Sequence, residues 1–588
     1  MVYPTIADPE SMAPYFEPLV APKVSRAKRF ISNDYVVRIL SVVIGLTLWE
    51  LIGAHYPYSM SSPWNVVRAM KQYLVPQILP AAWQTLQTFS IGFAICIVAG
   101  IPIGLAMARI RFIRVALEPY VTTLNSMPML AIFPLMIIAF GINTQLRVSA
   151  TVLFGIFGII VNTFTGASRV DVTLEDVGRS FVASGWKRLS TIIFPGSLAY
   201  IFAGIRVGFG HAMIGAVVIE LEASLVGVGS LMNHYTTNLQ LGPFFVIVLL
   251  LGSFSILFSV CLRRFERWST MPWTRSPRSF DRRARRFAEA RARSVELPAA
   301  ATRAPGPRGG LRLALAPVTS VMGSAYRFLA ATSHLLTGRV TSWILRIGVF
   351  VGLIALWQHA SLTTSRAVMP SPHGVVSAIN RQVFQQHTIF GPLGNSLEVF
   401  ILGFGFSVFI GIPLGLLMGR YRVVALALDP YVSFLYGLPI IVFVPIFVIW
   451  LGFGFNFGVA FVIVSAVWVV VINTMQGVRH VDQNLIDTGR SFCSSERKIM
   501  RNIVIPSTIP FVIAGARLAF SVSWIGVIVS EVVSSETGIG GLISTYATSF
   551  QMADMVVPIL FIALISVALL AVSNRYAPRL TPWADVKR

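Results

Sequence analysis

"DVGRSFVASGWKRLSTIIFP", Asp176–Pro195, breaks an apolar chain with a polar, basic stretch, and "DTGRSFCSSERKIMRNIVIP", Asp487–Pro506, does so again 311 residues later. The register between the two runs on without a gap. "GIPIGLAMARIR" from Gly100 matches "GIPLGLLMGRYR" from Gly411, "LEPYV" from Leu117 matches "LDPYV" from Leu428, and "GVGSLM" from Gly227 matches "GIGGLI" from Gly538. Asn162 pairs with Asn473, Arg206 with Arg517 and Glu220 with Glu531 at the same spacing. Nearer the amino end the register drifts, Trp49 and Trp357 lying 308 apart, which places small insertions in the first outer loop. Self-similarity at a fixed period marks a tandem duplication.

The unit that is duplicated is a membrane unit. Of 588 residues, 55% are hydrophobic and 12% charged, whereas about a quarter of residues are charged in soluble domains. A helix needs about 20 apolar residues to cross the hydrocarbon, and runs of that kind fall at 36–55, 84–107, 119–140, 146–167, 197–222 and 242–262, then at 341–360, 394–418, 430–451, 455–477, 508–532 and 553–574. The expected fold is an all-α integral membrane protein of 12 transmembrane helices, two parallel six-helix repeats related by a pseudo-twofold axis along the membrane normal. The expected division is a cytoplasmic amino-terminal segment (1–35), a first six-span unit (36–263), a basic linker (264–338) with a possible interfacial helix, a second unit (339–575) and a cytoplasmic tail (576–588).

A net charge of +23 would suggest nucleic acid in a soluble protein. Here Lys and Arg gather in alternate loops, as with Arg109, Arg111 and Arg114, or Arg179, Lys187 and Arg188, while 534–554 holds none. That is the positive-inside pattern, and it puts both quoted loops and both termini in the cytoplasm. Residues 1–30 carry no apolar core of a cleavable signal. Cys96, Cys261 and Cys493 offer no disulfide framework and read as buried small apolar residues. The linker "RRARRFAEARARSVELPAAATRAPGPRGG" reads either as a solvated, flexible connection or as a surface helix on anionic lipid, with 311–338 an interfacial helix into the second unit.

Parallel six-span repeats suit a secondary transporter of the major facilitator type or the membrane part of an ATP-driven transporter. The quoted loops separate the two. A helix connection usually takes about 2–8 residues, yet this one runs from Ala167 to Pro195 as two short helical pieces with a break near Ala183–Gly185. A major facilitator chain would carry an Asp in its Gly-x-x-x-Asp-Arg/Lys signature after the second span, which "GLAMARIR" and "GLLMGRYR" lack. It would also leave two matched docking-sized loops without a use.

The loop spacing resembles the EAA loop of permease subunits from binding-protein-dependent ABC importers of the type I fold. Asp176, Val177 and Gly178 stand at its Glu-Ala-Ala, Val182 at its Gly, and Ile192, Phe194 and Pro195 at its Ile-x-Leu-Pro; Asp487, Thr488, Gly489, Cys493, Ile503, Ile505 and Pro506 repeat this. The Gly-Arg-Ser-Phe run in both loops, the Pro-rich third spans and the Glu followed by Gly-x-Gly are similar to the sulfonate, taurine, nitrate and bicarbonate branch. The family's Gly is replaced both times, so the turn is expected to move: to Gly185 in the first loop, and in the second to a polar turn of negative φ at Ser494 and Ser495.

The resemblance implies a transport subunit of a bacterial cytoplasmic (inner) membrane, carrying a small hydrophilic, anionic solute from a periplasmic solute-binding protein into the cytoplasm. It implies two copies of a separate ABC ATPase per chain, one on each loop, and one copy of the chain per transporter. The loop residues concerned are Asp176, Gly178, Arg179, Ser184, Gly185 and Pro195, then Asp487, Gly489, Arg490, Ser494, Ser495 and Pro506. No G-x-x-x-x-G-K-[ST] loop is present, so ATP and Mg belong to the partner, and no cofactor, catalytic residue, metal set or nucleic acid is expected on this chain.

Along the path, Arg206 and Arg517 lie 11 residues after their prolines, about 16 Å along a helix. Each is either an electropositive lining or a structural anchor reaching back to the interface. Glu220 and Glu531 lie near the outer surface, as a gate, a binding-protein contact or a helix-end hydrogen bond. Pro128, Pro134, Pro439 and Pro445 bend the third spans, for gating or for structure alone. Where the halves differ, Asn125 and Ser126 against Tyr436, and Thr165 against Gln476, the residues are candidate lining or interhelical glue. His211 reads as packing.

Overall fold

The computed structural model describes residues 34–223, 226–274, 339–364, 369–534 and 538–580. Its helices in the first half are α1 Asp34–His55, α2 Pro63–Tyr73, α3 Leu79–Arg109, α4 Arg111–Ser126, α5 Phe133–Phe140, α6 Thr144–Ser168, α7 Val172–Ser180, α8 Gly185–Arg188, α9 Phe194–Glu222, α10 Val228–Thr237 and α11 Leu241–Thr274. The second half repeats them in order: α12 Arg339–Thr363, α13 Pro372–Ile379, α14 Phe390–Arg420, α15 Arg422–Gly437, α16 Val444–Leu451, α17 Phe455–Arg479, α18 Gln483–Ser491, α19 Glu496–Ile499, α20 Ile505–Ser534, α21 Ile539–Thr548 and α22 Met552–Leu580. The chain is an all-α membrane protein built from two parallel repeats. Residues 1–33, 275–338 and 581–588, which hold most of the expected amino-terminal segment, linker and tail, lie outside the described residues; 264–274 continue α11 and 576–580 end α22.

Among the described residues ten helices are long and apolar enough to cross a bilayer, and twelve spans result if each of two bent helix pairs counts as one. The third span of each half, expected to bend at its prolines, is broken there: α4 meets the following helical piece at 98°, and α15 meets its counterpart at 93°. The cause is local. Pro128 and Pro439 supply no N–H and push the residue before them out of helical backbone, and Met127 (ψ 140) and Leu438 (ψ 140) are extended. A single 3₁₀ turn follows, then Pro134 and Pro445 start α5 and α16 in the first turn, where proline is tolerated.

Two pairs of short helices lay outside the expected spans. α2 and α13 begin at Ser62-Pro63 and Ser371-Pro372, each serine hydroxyl accepting from the backbone N–H three residues on. Trp49 Nε1 donates to Ser61 O and Trp357 Nε1 to Pro370 O, both at 2.8 Å, which ties the end of the first span to that cap in both halves. α10 and α21 follow the Gly-x-Gly stretches.

Spans α3, α6 and α9, and α14, α17 and α20, form the packed centre of each half. Small residues let the backbones approach: a Cβ on Gly104 would lie 2.8 Å from Ile160 O, and one on Gly415 2.7 Å from Val471 O. The halves interlock. The buried 3₁₀ turn of each broken span packs on the fifth span of the other half, α20 or α9. The first span lies across the opposite half as well: Tyr431 Oη donates to Ser41 O and Ser41 Oγ to Ala427 O, both at 2.5 Å, and Arg422 pairs with Asp34 at 2.6 Å. In return α12 packs on α4.

The expectation of three buried thiols holds for Cys96 alone, since Cys261 and Cys493 are exposed. Cys261 lies on an outward side of α11, and Cys493 stands at a turn described below.

Gly45 marks the crossing of α1 over α15, because a Cβ there would lie 2.2 Å from Tyr431 Oη. Gly45→Leu is expected to destabilise the chain by about 1–3 kcal/mol through overpacking, read as a lowered thermal unfolding midpoint in nanodiscs. Tyr431→Ala in the same chain should recover most of the loss; strictly additive losses would mean the two helices do not meet there.

Candidate functional site

Each quoted loop is a pair of short helices joined by a sharp turn. α7 starts at Asp171, whose carboxylate accepts from Thr173 N at 2.8 Å, and this hydrogen bond holds its pKa below the usual carboxylate value. α18 starts in the same way at Asp482. α7 ends where Val182 N–H donates to Arg179 O (2.8 Å) and Ala183 N–H to Gly178 O (3.0 Å). That is a Schellman motif, and its left-handed residue is Val182, φ 53°. Cys493, φ 53°, does the same in the second loop, with Cys493 N to Arg490 O and Ser494 N to Gly489 O.

The turn therefore has not moved to Gly185 or to a negative-φ serine turn. It sits at the very position of the replaced glycine, and a β-branched valine is held there against a steric cost of roughly 1–2 kcal/mol. Ser184 and Ser495 instead cap α8 and α19, accepting from Lys187 N and Lys498 N. Gly185 is merely the first residue of α8. Pro195 and Pro506 lie in the first turn of α9 and α20.

Gly178 faces inward. A Cβ on it would meet Ile192 Cδ1 at 2.8 Å, and one on Gly489 would meet Ile503 Cδ1 at 3.0 Å. These glycines close the two pieces of each loop on each other, and the outward surface is made by others: Phe181 (82% exposed), Val182 (89%) and Phe492 (78%). Asp176 and Arg179 pair at 3.5 Å, as do Asp487 and Arg490 at 3.6 Å, both on the open face.

An arginine at the end of the second span ties each loop to the bundle. Arg109 pairs with Glu175 on α7 and donates to Ala167 O at 2.7 Å. Arg420 pairs instead with Glu496 on α19, which Arg490 also reaches at 3.3 Å. The cation is shared by the halves and the carboxylate is not.

At the opposite end of the fifth spans, Glu220 and Glu531 are buried. Glu220 Oε2 accepts from Thr85 Oγ1 (2.8 Å) and Gly229 N (3.2 Å), and Thr85 Oγ1 accepts from Val228 N (3.0 Å). Glu531 accepts from Ser396 Oγ (2.6 Å) and Gly540 N (2.9 Å), and Ser396 Oγ accepts from Ile539 N (2.9 Å). Each carboxylate thus caps a ten-residue helix, α10 or α21, and binds it to the second span. The Gly-x-Gly stretches are dictated by this contact: a Cβ on Gly227 or Gly538 would fall 2.3 or 2.0 Å from the carboxyl carbon. The geometry is that of a helix-end hydrogen bond, with Glu220 wholly buried and Glu531 nearly so. Thr85, Ser396 and Arg147, which adds a guanidinium 3.6 Å from Glu220, escaped the sequence reading. Thr85 and Ser396 keep a hydroxyl at the 311 spacing, and Arg147 is a basic residue at the end of the molecule otherwise poor in them.

Arg206 reaches back along α9 to pair with Glu266 on α11 at 2.9 Å. Arg517 is exposed and makes no hydrogen bond or ion pair among the described residues. Ser126 and Thr165 turn their hydroxyls onto their own helices, bonding Thr122 O and Val161 O at 2.8 Å, so neither is glue between helices. Asn125, Tyr436 and Gln476 are exposed, Pro128 and Pro439 buried at the bends, and His211 half-buried.

The model of the family described as binding-protein-dependent transport system inner membrane component matches residues 100–270 and again 411–585. The chain is 28% identical over 193 residues to a protein provisionally assigned as an aliphatic sulfonates transport permease in Bacillus subtilis, covering 32% of this chain and 70% of that one. It is 26% identical to the taurine transport system permease protein of Escherichia coli, over 41% of this chain and 89% of the relative. Identity to the bicarbonate transport system permease protein of Synechococcus elongatus is 29%, over 31% and 64%.

Glycine at the strained turns should relieve the left-handed penalty while adding roughly 0.5–1 kcal/mol of chain entropy. In Val182→Gly and Cys493→Gly the net gain is up to about 1 kcal/mol, so amide exchange at Ala183 and Ser494 is expected to slow roughly 5-fold. Unchanged or faster exchange would place the left-handed residue elsewhere.

Proposed function

The chain belongs to the family of binding-protein-dependent transport system inner membrane components, as a fused double permease, and on that premise we propose that it imports a small hydrophilic anion with the help of two separate ATPase subunits. It is a transport protein of the inner membrane. The observation that supports the finer reading is the pair of loops: two copies of one rigid turn, each presenting exposed Phe181 or Phe492 beside a charged face and tied to the second span by an arginine. The basic residues of alternate loops put this end of the bundle in the cytoplasm.

In this reading each loop seats in a groove on one ATPase copy. ATP favours the closed ATPase pair, which draws the two loops together, and the differential binding of ATP to that state supplies the free energy of the shift. α9 and α20 run from the loops to the buried carboxylates, so the halves rock as bodies between inward-open and outward-open, and a periplasmic binding protein delivers the solute. Sulfonates, taurine and bicarbonate, named for the relatives, share an oxyanion group. Arg517, unpaired among the described residues, is the candidate to meet it; Arg206 is committed to Glu266.

The purified chain is expected to be silent as an ATPase and to gain activity on adding a nucleotide-binding subunit. Native mass spectrometry should then show two ATPase copies per chain; one copy, or turnover by the chain alone, would refute the assignment.

Gly178→Leu and Gly489→Leu should each pry a loop open from within. Solute-stimulated ATP hydrolysis in nanodiscs is expected to be lost in both, with membrane insertion and binding-protein docking kept. Stimulation at the wild-type level in both would remove the loops from the coupling path.

A further inference from the structure

The two buried carboxylates are held alike except for one charge. In the first half Arg147, itself 8% exposed, sends its guanidinium into the space beside Glu220: Nη1 lies 3.6 Å from Oε1 and donates to Val226 O at 3.2 Å, and Nη2 donates to Thr144 Oγ1 at 3.4 Å. The residue 311 positions on is Gly458. With the side chain gone, the same place holds a cavity of about 130 Å³, lined by Gly458, Glu531, Asn395, Ser530 and Ser534 among others. One water takes about 30 Å³ in the liquid, so a guanidinium-sized group fits together with water.

The lining has changed in the direction that a lost cation demands. Ser530 and Ser534 replace Ile219 and Ala223 of the first half, adding two hydroxyls around the vacated place. Glu531 keeps the hydroxyl and N–H bonds that Glu220 has, but among the described residues no cation pairs with it. A buried carboxylate without a counter-charge is costly, and only 7% of Glu531 is exposed.

We propose that the cavity beside Glu531 is a binding site for a small N–H-bearing monocation, an ammonium or guanidinium group, which takes from solution the place that Arg147 fills from within the chain in the first half. The carboxylate accepts its hydrogen bonds and balances its charge, while the hydroxyl oxygens of Ser530 and Ser534, whose own protons go to Val527 O and Glu531 O, accept the remaining N–H groups. The cation would steady the α20–α21 junction as Arg147 steadies α9–α10. This assignment does not depend on what the loops bind.

The test uses the full chain in nanodiscs and reads the thermal unfolding midpoint during titration with guanidinium chloride or methylammonium chloride, in the millimolar range below denaturing concentrations, against sodium chloride at equal ionic strength. Wild type is expected to show a saturable upward shift with the N–H cations and none with sodium. Glu531→Gln should abolish the shift. Gly458→Arg supplies the guanidinium internally: it should start with a higher midpoint and no longer respond. Arg147→Gly should gain a second saturable response, rescuing its lowered midpoint. Equal response to sodium, no response in wild type, or an undiminished response in Gly458→Arg would each overturn the site. Should Glu531→Gln fail to fold, the Gly458→Arg and Arg147→Gly pair decides alone.

Discussion

A carboxylate buried at the far end of each fifth span organises much of the bundle. Taking Glu220 or Glu531 out of water is tolerable only because a hydroxyl from the second span and the N–H groups at the start of a short helix are aimed at it. That demand reaches into the sequence: glycine at 227 and 538, a small hydroxyl residue at 85 and 396, and a helix that begins at once after the glycine. It also fixes geometry, because the second span, the fifth span and the short helix are clamped at one point. From there α9 runs 29 residues to the loop end, about 43 Å, and a tilt imposed at either end is felt at the other.

Much of this architecture was legible in the sequence because duplication wrote it twice. Pairing positions 311 apart revealed the loops, the prolines and the glutamates without any reference to the structure. What hydropathy could not register was direction. Met127-Pro128 and Leu438-Pro439 sit inside apolar runs of the right length, and only backbone sterics turn those runs through about a right angle. Short helices such as α2 and α10 stay hidden in a span-length window, although Ser62-Pro63 is a capping signal that a local reading would catch. At Val182 and Cys493 residue preference pointed the wrong way, since tertiary closure of the loop overrides the aversion of non-glycine side chains for positive φ, which is strongest for the β-branched valine. Gly178 was singled out as a loop residue meeting a partner; the neighbour the structure gives it is Ile192 of its own loop.

The halves differ in several of their charges. The loop-anchoring arginine keeps its place while its carboxylate moves from Glu175 on α7 to Glu496 on α19. Arg206 has Glu266, and position 577, the counterpart of Glu266, is Ala. Arg147 becomes Gly458. Glycine contacts such as those of Gly104 and Gly415, or Gly227 and Gly538, are kept in parallel, whereas ion pairs, which are replaceable one partner at a time, are a place where two copies joined in one chain have diverged.

The exchange of first spans has a consequence for synthesis. The bond between Ser41 and Tyr431 joins residues 390 apart, and at about 5–20 residues per second the ribosome needs roughly 20–80 s to make the second after the first. For that interval α1 must sit in lipid with its mate unmade, and its many outward aliphatic side chains, such as Ile39, Leu40 and Leu51, suit it to wait there. α12 has no such delay, because α4 is already in the membrane when it emerges. The duplicated halves, alike in their finished state, are therefore born into different company.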